Sequence, residues 1–181
     1  MPFSSEYAEI CWQCVKKAPP FSKVMNYGLY EGALADAINH LKFHGLKRLA
    51  TPLGRLLLSF DLPGIDCIIP VPLSIKRLRE RGFNQSLLIA KVISEEIKVP
   101  LMMDVLLKRK ETPPQTSLTA KERLSNLKKA FVVKGNIQGL SLLLVDDVMT
   151  TGATVTECSK MLIKAGAKEV IVLTLARARM D

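Results

Sequence analysis

The fold class that the sequence predicts is an α/β domain built on a mostly parallel sheet with helices on both faces. Three observations predict it. Apolar runs occupy residues 67–71, 142–145 and 170–176, without the polar–apolar alternation of a sheet that faces water on one side. Amphipathic helical segments separate these runs, the order expected of strand–helix–strand units. With 181 residues, 48% of them apolar and 24% charged, the chain can bury a full core without disulfide staples, and disordered and fibrous classes are excluded.

Residues 1–26 read as an N-terminal appendage of low regularity, and residues 27–181 as the main domain. Cys11 and Cys14 flank Trp12 and Gln13 at the spacing with which two thiolates grip one tetrahedral ion. A structural site needs four ligands and no second pair exists, so the segment reads as half of a zinc ribbon. It is either a remnant or a fragment beginning inside the metal module, and bound Zn2+ is not expected.

Leu34, Ile38 and Leu41 recur at helical spacing over residues 31–43, which end at Gly45. A second helix covers residues 47–60, with Leu53, Leu56 and Leu57 apolar, until Asp61, Pro63 and Gly64 break it. His40 and His44, one turn apart, read as helix-surface residues. Residues 67–71 form a buried strand, followed by a basic loop over residues 74–81 that holds Lys76, Arg77, Arg79 and Arg81. A helix over residues 84–97 rests on Leu87, Leu88, Val92, Ile93 and Ile97, and a strand follows over residues 101–107. Residues 108–129 carry seven basic and two acidic residues. They read as a mobile, proline-bearing loop and a short helix over residues 121–127. Strands at 130–133 and 142–145, a helix at 154–165, a turn at Gly166 and a strand at 169–175 complete the pattern. Cys67, in a strand, and Cys158, in a helix, read as core thiols.

The first ten residues hold two Glu, no Lys or Arg and no apolar run, so no secretory signal is expected. No apolar stretch approaches the ~18 residues of a membrane span. A cytoplasmic protein without membrane insertion is expected. Lys and Arg number 26 against 17 Asp and Glu, a net charge of +9. That charge favours an anionic partner, either a phosphorylated small molecule or nucleic acid.

Residues 142–154, Leu-Leu-Leu-Val-Asp-Asp-Val-Met-Thr-Thr-Gly-Ala-Thr, choose the first. Four apolar residues make a buried strand that delivers Asp146 and Asp147 to its carboxyl end, the edge at which open α/β sheets bind ligands. A tight loop of Thr150, Thr151, Gly152, Ala153 and Thr154 leads straight into a helix. Amide N–H groups at a helix start, hydroxyls and a Gly that permits close approach form a cradle for a phosphate monoester. The two carboxylates suit the hydroxyls of a ribose. Phosphate and ribose held side by side describe a 5-phosphoribosyl group.

This string resembles the PRPP-binding signature of type I phosphoribosyltransferases. The resemblance implies that Asp146 and Asp147 hold the ribose hydroxyls and that residues 150–154 hold the 5-phosphate. It also implies a pyrophosphate loop after an earlier strand, where Pro70-Val71-Pro72-Leu73-Ser74 stands, with Arg77 and Arg81 behind it. That loop looks like the one of glutamine PRPP amidotransferase, with Leu73 and Ile75 in place of an acidic residue and a glycine. Tyr30-Glu31-Gly32, Leu41-Lys42-Phe43-His44-Gly45, Arg81-Gly82-Phe83-Asn84-Gln85, Arg109 with Thr112 and Gln115, and Glu122-Arg123 with Asn126 follow in order. Together they resemble the ComF family (ComFC) of late-competence proteins, from about Cys11 to Arg177. Members usually carry a four-cysteine zinc module, of which only Cys11 and Cys14 are present.

The resemblance implies a PRPP- and Mg2+-binding protein of DNA uptake, with single-stranded DNA and the uptake machinery as partners. Residues 108–129 would be a hood closing over PRPP. In it Arg109 and Arg123 would neutralise leaving charge, and Thr112 and Gln115 would belong to the flexible loop. The alternative is an active phosphoribosyltransferase of nucleotide metabolism with an unknown acceptor. Of the aromatic residues, only Phe83 lies near the basic runs in sequence, so base stacking has little support.

Overall fold

The computed structural model describes residues 18–62, 64–109 and 130–179. Its main sheet has four strands, β1 (Lys23–Leu29), β2 (Cys67–Pro70), β5 (Ser141–Met149) and β6 (Glu169–Arg177), in the order β1-β6-β5-β2. Every pairing in it is parallel. Two short strands, β3 (Leu106–Lys108) and β4 (Phe131–Val133), pair antiparallel outside it. The helices are α1 (Gly32–Phe43), α2 (Ala50–Leu56), α3 (Ile75–Arg81), α4 (Gln85–Ile97) and α5 (Ala153–Lys164).

The period of two along a strand explains the continuous apolar runs. Leu142 and Leu144 enter one core with Cys67, Ile69, Val170, Val172 and, from α5, Val155, Cys158 and Leu162. Leu143 and Val145 enter the other with Ile68, Leu173, Leu175, Ile38 and Leu41 of α1, Leu53 of α2, and Ile89 and Ile93 of α4. Both faces are dry, so every second position cannot be polar. Cys67 and Cys158 are buried in the first core, as expected of core thiols, and burial pushes both thiols up from their ordinary range.

The helices that follow the neighbouring strands β2 and β5 lie on opposite faces, α4 on the second core and α5 on the first. Connections that diverge in this way open a crevice at the carboxyl edge of the sheet, the usual ligand position of such folds.

Four details differ from expectation. The irregular segment ends earlier: residues 23–29 form β1, paired along β6 from Lys23↔Ile171 to Leu29↔Arg177. The helix over residues 47–60 is α2 flanked by single 3-10 turns at Lys47–Leu49 and Leu57–Ser59. The strand over residues 101–107 shortens to β3. Leu101 makes one bridge to Ile68, with Met102 N–H donating to the Ile68 carbonyl at 2.9 Å, and the chain then leaves the sheet. The basic loop is a helix, α3, capped by the Ser74 hydroxyl, which accepts from Arg77 N–H. It is closed by Gly82 in the left-handed conformation (φ 76°). Cap and stop were present in the sequence, but α3 buries none of its residues and so has no apolar period.

Candidate phosphoribosyl site

β5 runs four residues beyond the end of β2. Its last pairing with β2 is Val145↔Pro70, extended by a Val71 N–H···O Val145 bond of 2.9 Å, whereas its pairing with β6 continues to Met149↔Arg177. Asp146 and Asp147 therefore stand where the sheet has lost one neighbour. Both are buried, at 8% and 3% exposure.

The polar surroundings of the pair come from the β5 backbone and from two other elements, α4 and α1. Ser86, in the first turn of α4, donates its hydroxyl to Asp146 Oδ1 at 2.9 Å, and Asp147 N–H donates to the same oxygen at 2.9 Å. Asn84 fixes that turn, accepting from Ser86 N–H at 3.0 Å and donating its Nδ2 to the Val71 carbonyl at 3.0 Å. Asp147 Oδ1 accepts from Val148 N–H at 2.6 Å. Lys42 of α1 brings its ammonium to 2.8 Å from Asp147 Oδ2, an ion pair that leaves this buried oxygen without a well-formed hydrogen bond.

Burial, and then the charge of Asp147, push the Asp146 carboxyl up to about 7, while Lys42 and the Ser86 bond oppose the shift. Cations converge on the pair. Burial lowers the proton affinity of Lys108, and Arg77 lowers it further while Asp146 opposes the change. Burial likewise lowers that of Arg81, with the field of Asp147 opposing. The Arg81 guanidinium donates to Gln85 Oε1 at 2.6 Å.

Past β5 the chain turns through Thr150 and Thr151, both exposed, to Gly152 at φ 74°, the N-cap of α5. A Cβ there would lie 2.6 Å from Cε at the flexible end of Met149, which can shift, so it is the left-handed conformation at position 152 that calls for glycine. Ala153 N–H reaches Thr151 Oγ1 at 3.4 Å. The first turn of α5 carries no acidic residue and Gly152 supplies no capping side chain. Apart from the long contact of Ala153 N–H with Thr151 Oγ1, no side chain caps this helix start, and amides so placed suit an anion.

The structure brings Asp146, Asp147 and the turn from Thr150 to Thr154 together along β5 and the start of α5, with Arg81 in the field of Asp147 and Arg77 in that of Arg81 and Lys108. Pro72 and Leu73 are half-buried, and Ser74 is spent as the cap of α3. Arg109 is exposed and anchored through its backbone N–H to the Ala130 carbonyl at 2.9 Å. Among the described residues no ion pair joins it to the acids. Thr112, Gln115, Arg123, Cys11 and Cys14 lie outside the described residues. His40 and His44 are exposed with ring centroids 4.9 Å apart, in keeping with a helix-surface role.

Sequence reasoning missed Lys42, Ser86 and Lys108. Ser86 was legible as a polar residue in the first turn after the Asn84 cap. Lys42 had no local signal, because its partner lies 105 positions away. A concavity lined by Leu58, Phe60, Leu62, Ile97 and Val99, with Glu96, contains no residue of this site.

Residues 84–181 match the phosphoribosyl transferase domain, which defines the class of protein that this fold and crevice build. Glutamine PRPP amidotransferase from B. subtilis superimposes on 69% of the chain and 25% of its own with a TM-score of 0.50. At 22% identity it shares the fold. Among curated relatives, Competence protein F of Haemophilus influenzae is 37% identical over 183 residues, spanning 95% of this chain and 80% of that protein. DNA utilization protein YhgH of Escherichia coli K12 is 35% identical over 177 residues, spanning 92% and 77%. Competence protein ComFC of Streptococcus pneumoniae is 36% identical over 150 residues, spanning 82% and 65%. The chain belongs to the ComF family of competence proteins with a type I phosphoribosyltransferase fold.

Proposed function

We propose that the chain binds PRPP at the crevice of β5 and α5 and works in DNA uptake as a phosphoribosyltransferase-like protein that handles single-stranded DNA. One observation carries the PRPP reading: a buried acidic pair ends five residues before Gly152, the left-handed cap of a helix whose first turn carries no acidic residue. In this reading the amides of residues 152–154 and the Thr150, Thr151 and Thr154 hydroxyls take the 5-phosphate. Asp146 and Asp147 accept from the ribose hydroxyls. Arg77, Arg81 and Lys108 face the pyrophosphate. Lys42 supplies part of the charge balance around the buried Asp147 carboxylate through their 2.8 Å ion pair.

The described residues hold no cluster of three or more metal-ligating side chains. That fits Mg2+ arriving with its ligand, since this ion prefers phosphate oxygens and water to an all-protein cage. When bound it would neutralise pyrophosphate charge beside Asp146 and Asp147. If the site transfers the sugar, the C1–O bond would break with its electron pair leaving on pyrophosphate, the carboxylates would steady the cationic sugar, and a lone pair of the unidentified acceptor would form the new bond to C1. In the same reading Arg109 and Arg123 would neutralise the leaving charge, and Thr112 and Gln115 would belong to the same loop in sequence. No described helix is long and apolar enough to cross a membrane. The DNA part of the proposal is supported by the names of the relatives and by the net charge of +9.

Calorimetric titration with PRPP and Mg2+, with and without a single-stranded oligonucleotide, tests the reading. Saturable one-site binding that Asp146→Asn weakens is expected, together with separate binding of the oligonucleotide. Absence of saturable PRPP binding overturns it.

A further inference from the structure

Phe83, the aromatic residue nearest the basic runs in sequence, is 8% exposed and belongs to the second core. Among the described Phe, Tyr and Trp residues the exposed ring is Phe43, the last residue of α1, at 69%. Helix α3 places a cation on it: the Arg81 guanidinium lies 5.4 Å from the Phe43 ring centroid. α3 also exposes two large apolar side chains on the approach to Arg81, Ile75 at 62% and Leu78 at 44%. Three-residue steps along a helix put neighbours side by side, so Ile75, Leu78 and Arg81 follow one side of α3 to the end where Phe43 sits. Lys76, Arg77 and Arg79 flank them, against a single acid, Glu80, and Lys47 and Arg48 are exposed just beyond Phe43.

We propose that Phe43, with Arg81 over its ring and Leu78 and Ile75 beyond it, is a stacking platform for the bases of single-stranded DNA. The cations of α3 track the strand's phosphates alongside. This inference deepens the DNA reading above and rests on it. Chemistry selects the occupant. A phosphate ion would use the cations and leave the apolar strip wet, and a duplex keeps its base faces stacked on one another. A single strand offers unstacked π-faces and phosphates together, matching a surface on which aromatic and aliphatic groups alternate with positive charge. Phe43 follows Lys42 directly, so the platform adjoins the PRPP crevice: one residue reaches inward to Asp147 and the next faces the solvent.

The test is fluorescence anisotropy with a labelled 20-base oligodeoxynucleotide, the same oligomer made abasic, its duplex and the matching RNA, at two salt concentrations. Phe43→Ala should weaken binding of the single strand about tenfold, within the range found for loss of one stacked base. It should leave the salt slope and the abasic oligomer unaffected, because no cation is removed. Arg79→Ala should instead weaken all oligomers alike and flatten the slope by about one. Retained PRPP binding by Phe43→Ala shows that the variant is folded. Equal affinity of the parent chain and Phe43→Ala for the single strand overturns the platform while leaving the DNA reading intact, and assigns the strip to a protein partner. PRPP binding without any DNA binding by the parent chain overturns both the platform and the DNA reading. Stronger binding of duplex or RNA than of single-stranded DNA also overturns the platform as stated.

Discussion

Two connections leave the carboxyl edge of the sheet beside one another, and they are built on opposite principles. After β5, the chain passes through hydroxyl-bearing residues and a left-handed glycine into a long helix anchored in the first core by Val155, Cys158 and Leu162. After β2, it passes through Pro72 and a Ser74 cap into seven residues of α3, none of them buried. The first connection presents backbone amides on a helix seated in the core, an arrangement suited to one phosphate by shape. The second presents long cationic side chains on a surface helix, which attracts phosphates by charge with little geometric demand. A site made of both can hold a monophosphate tightly and still admit a larger polyanion next to it.

The largest expected effect falls on the rigid connection. Gly152→Val places a branched side chain at φ 74° and against Met149. PRPP affinity should fall by at least ~100-fold, since backbone strain at the positive φ and a side chain on the amide cradle act together; titration calorimetry reads it directly. Asp147→Asn comes next. It removes the charge that would accept from a ribose hydroxyl and orphans Lys42, and a loss of about 10- to 100-fold is expected in the same titration.

Asp146 sharpens the contrast through pH. Its folded carboxyl titrates near 7 against an ordinary value of 3.8, so the folded chain holds a proton that the unfolded chain releases. The contribution of this group to stability is fully present below about pH 4 and declines as pH rises to about 7. Between pH 5 and 8 the parent chain should lose on the order of 2 kcal/mol that Asp146→Asn does not lose. Denaturant melts at the two pH values measure the difference, and parallel pH profiles would contradict it.

On the charge-based connection the effects are smaller. Arg77→Ala should weaken PRPP binding only a few-fold, and the loss should shrink further at 0.5 M salt, as screening removes contributions from exposed cations. A salt-independent loss as large as that of Gly152→Val would break the comparison. Ser86→Ala, which removes one hydrogen bond to Asp146, should cost about 1 kcal/mol of stability at pH 8.

The same division governs what the sequence disclosed. The connection after β5 was legible residue by residue, because each of its functions is local: an apolar run, two acids, a glycine and a helix start are contiguous. The parallel sheet was legible in the same way, from runs such as Leu142 to Val145 that fill two cores. α3 was not, because a helix that buries nothing leaves no apolar period, and only Ser74 and Gly82 mark its ends. β1 was hidden for a related reason. Its residues are mostly half-buried, with exposed ends and Met25 alone buried, and β6 on one side holds it in place. Lys42 and Phe43 acquired their roles only when α1 packed beside α3 and β5, a juxtaposition that no local pattern encodes.

The central claim is that Asp146 and Asp147 read the hydroxyls of a sugar whose 5-phosphate sits on the start of α5. Displacement of PRPP by ribose 5-phosphate and by 2-deoxyribose 5-phosphate tests it most directly. The account predicts that ribose 5-phosphate displaces PRPP at least ~10-fold more effectively than the deoxy sugar, and that Asp147→Asn removes most of this preference. Equal displacement by the two sugars in the parent chain would contradict it.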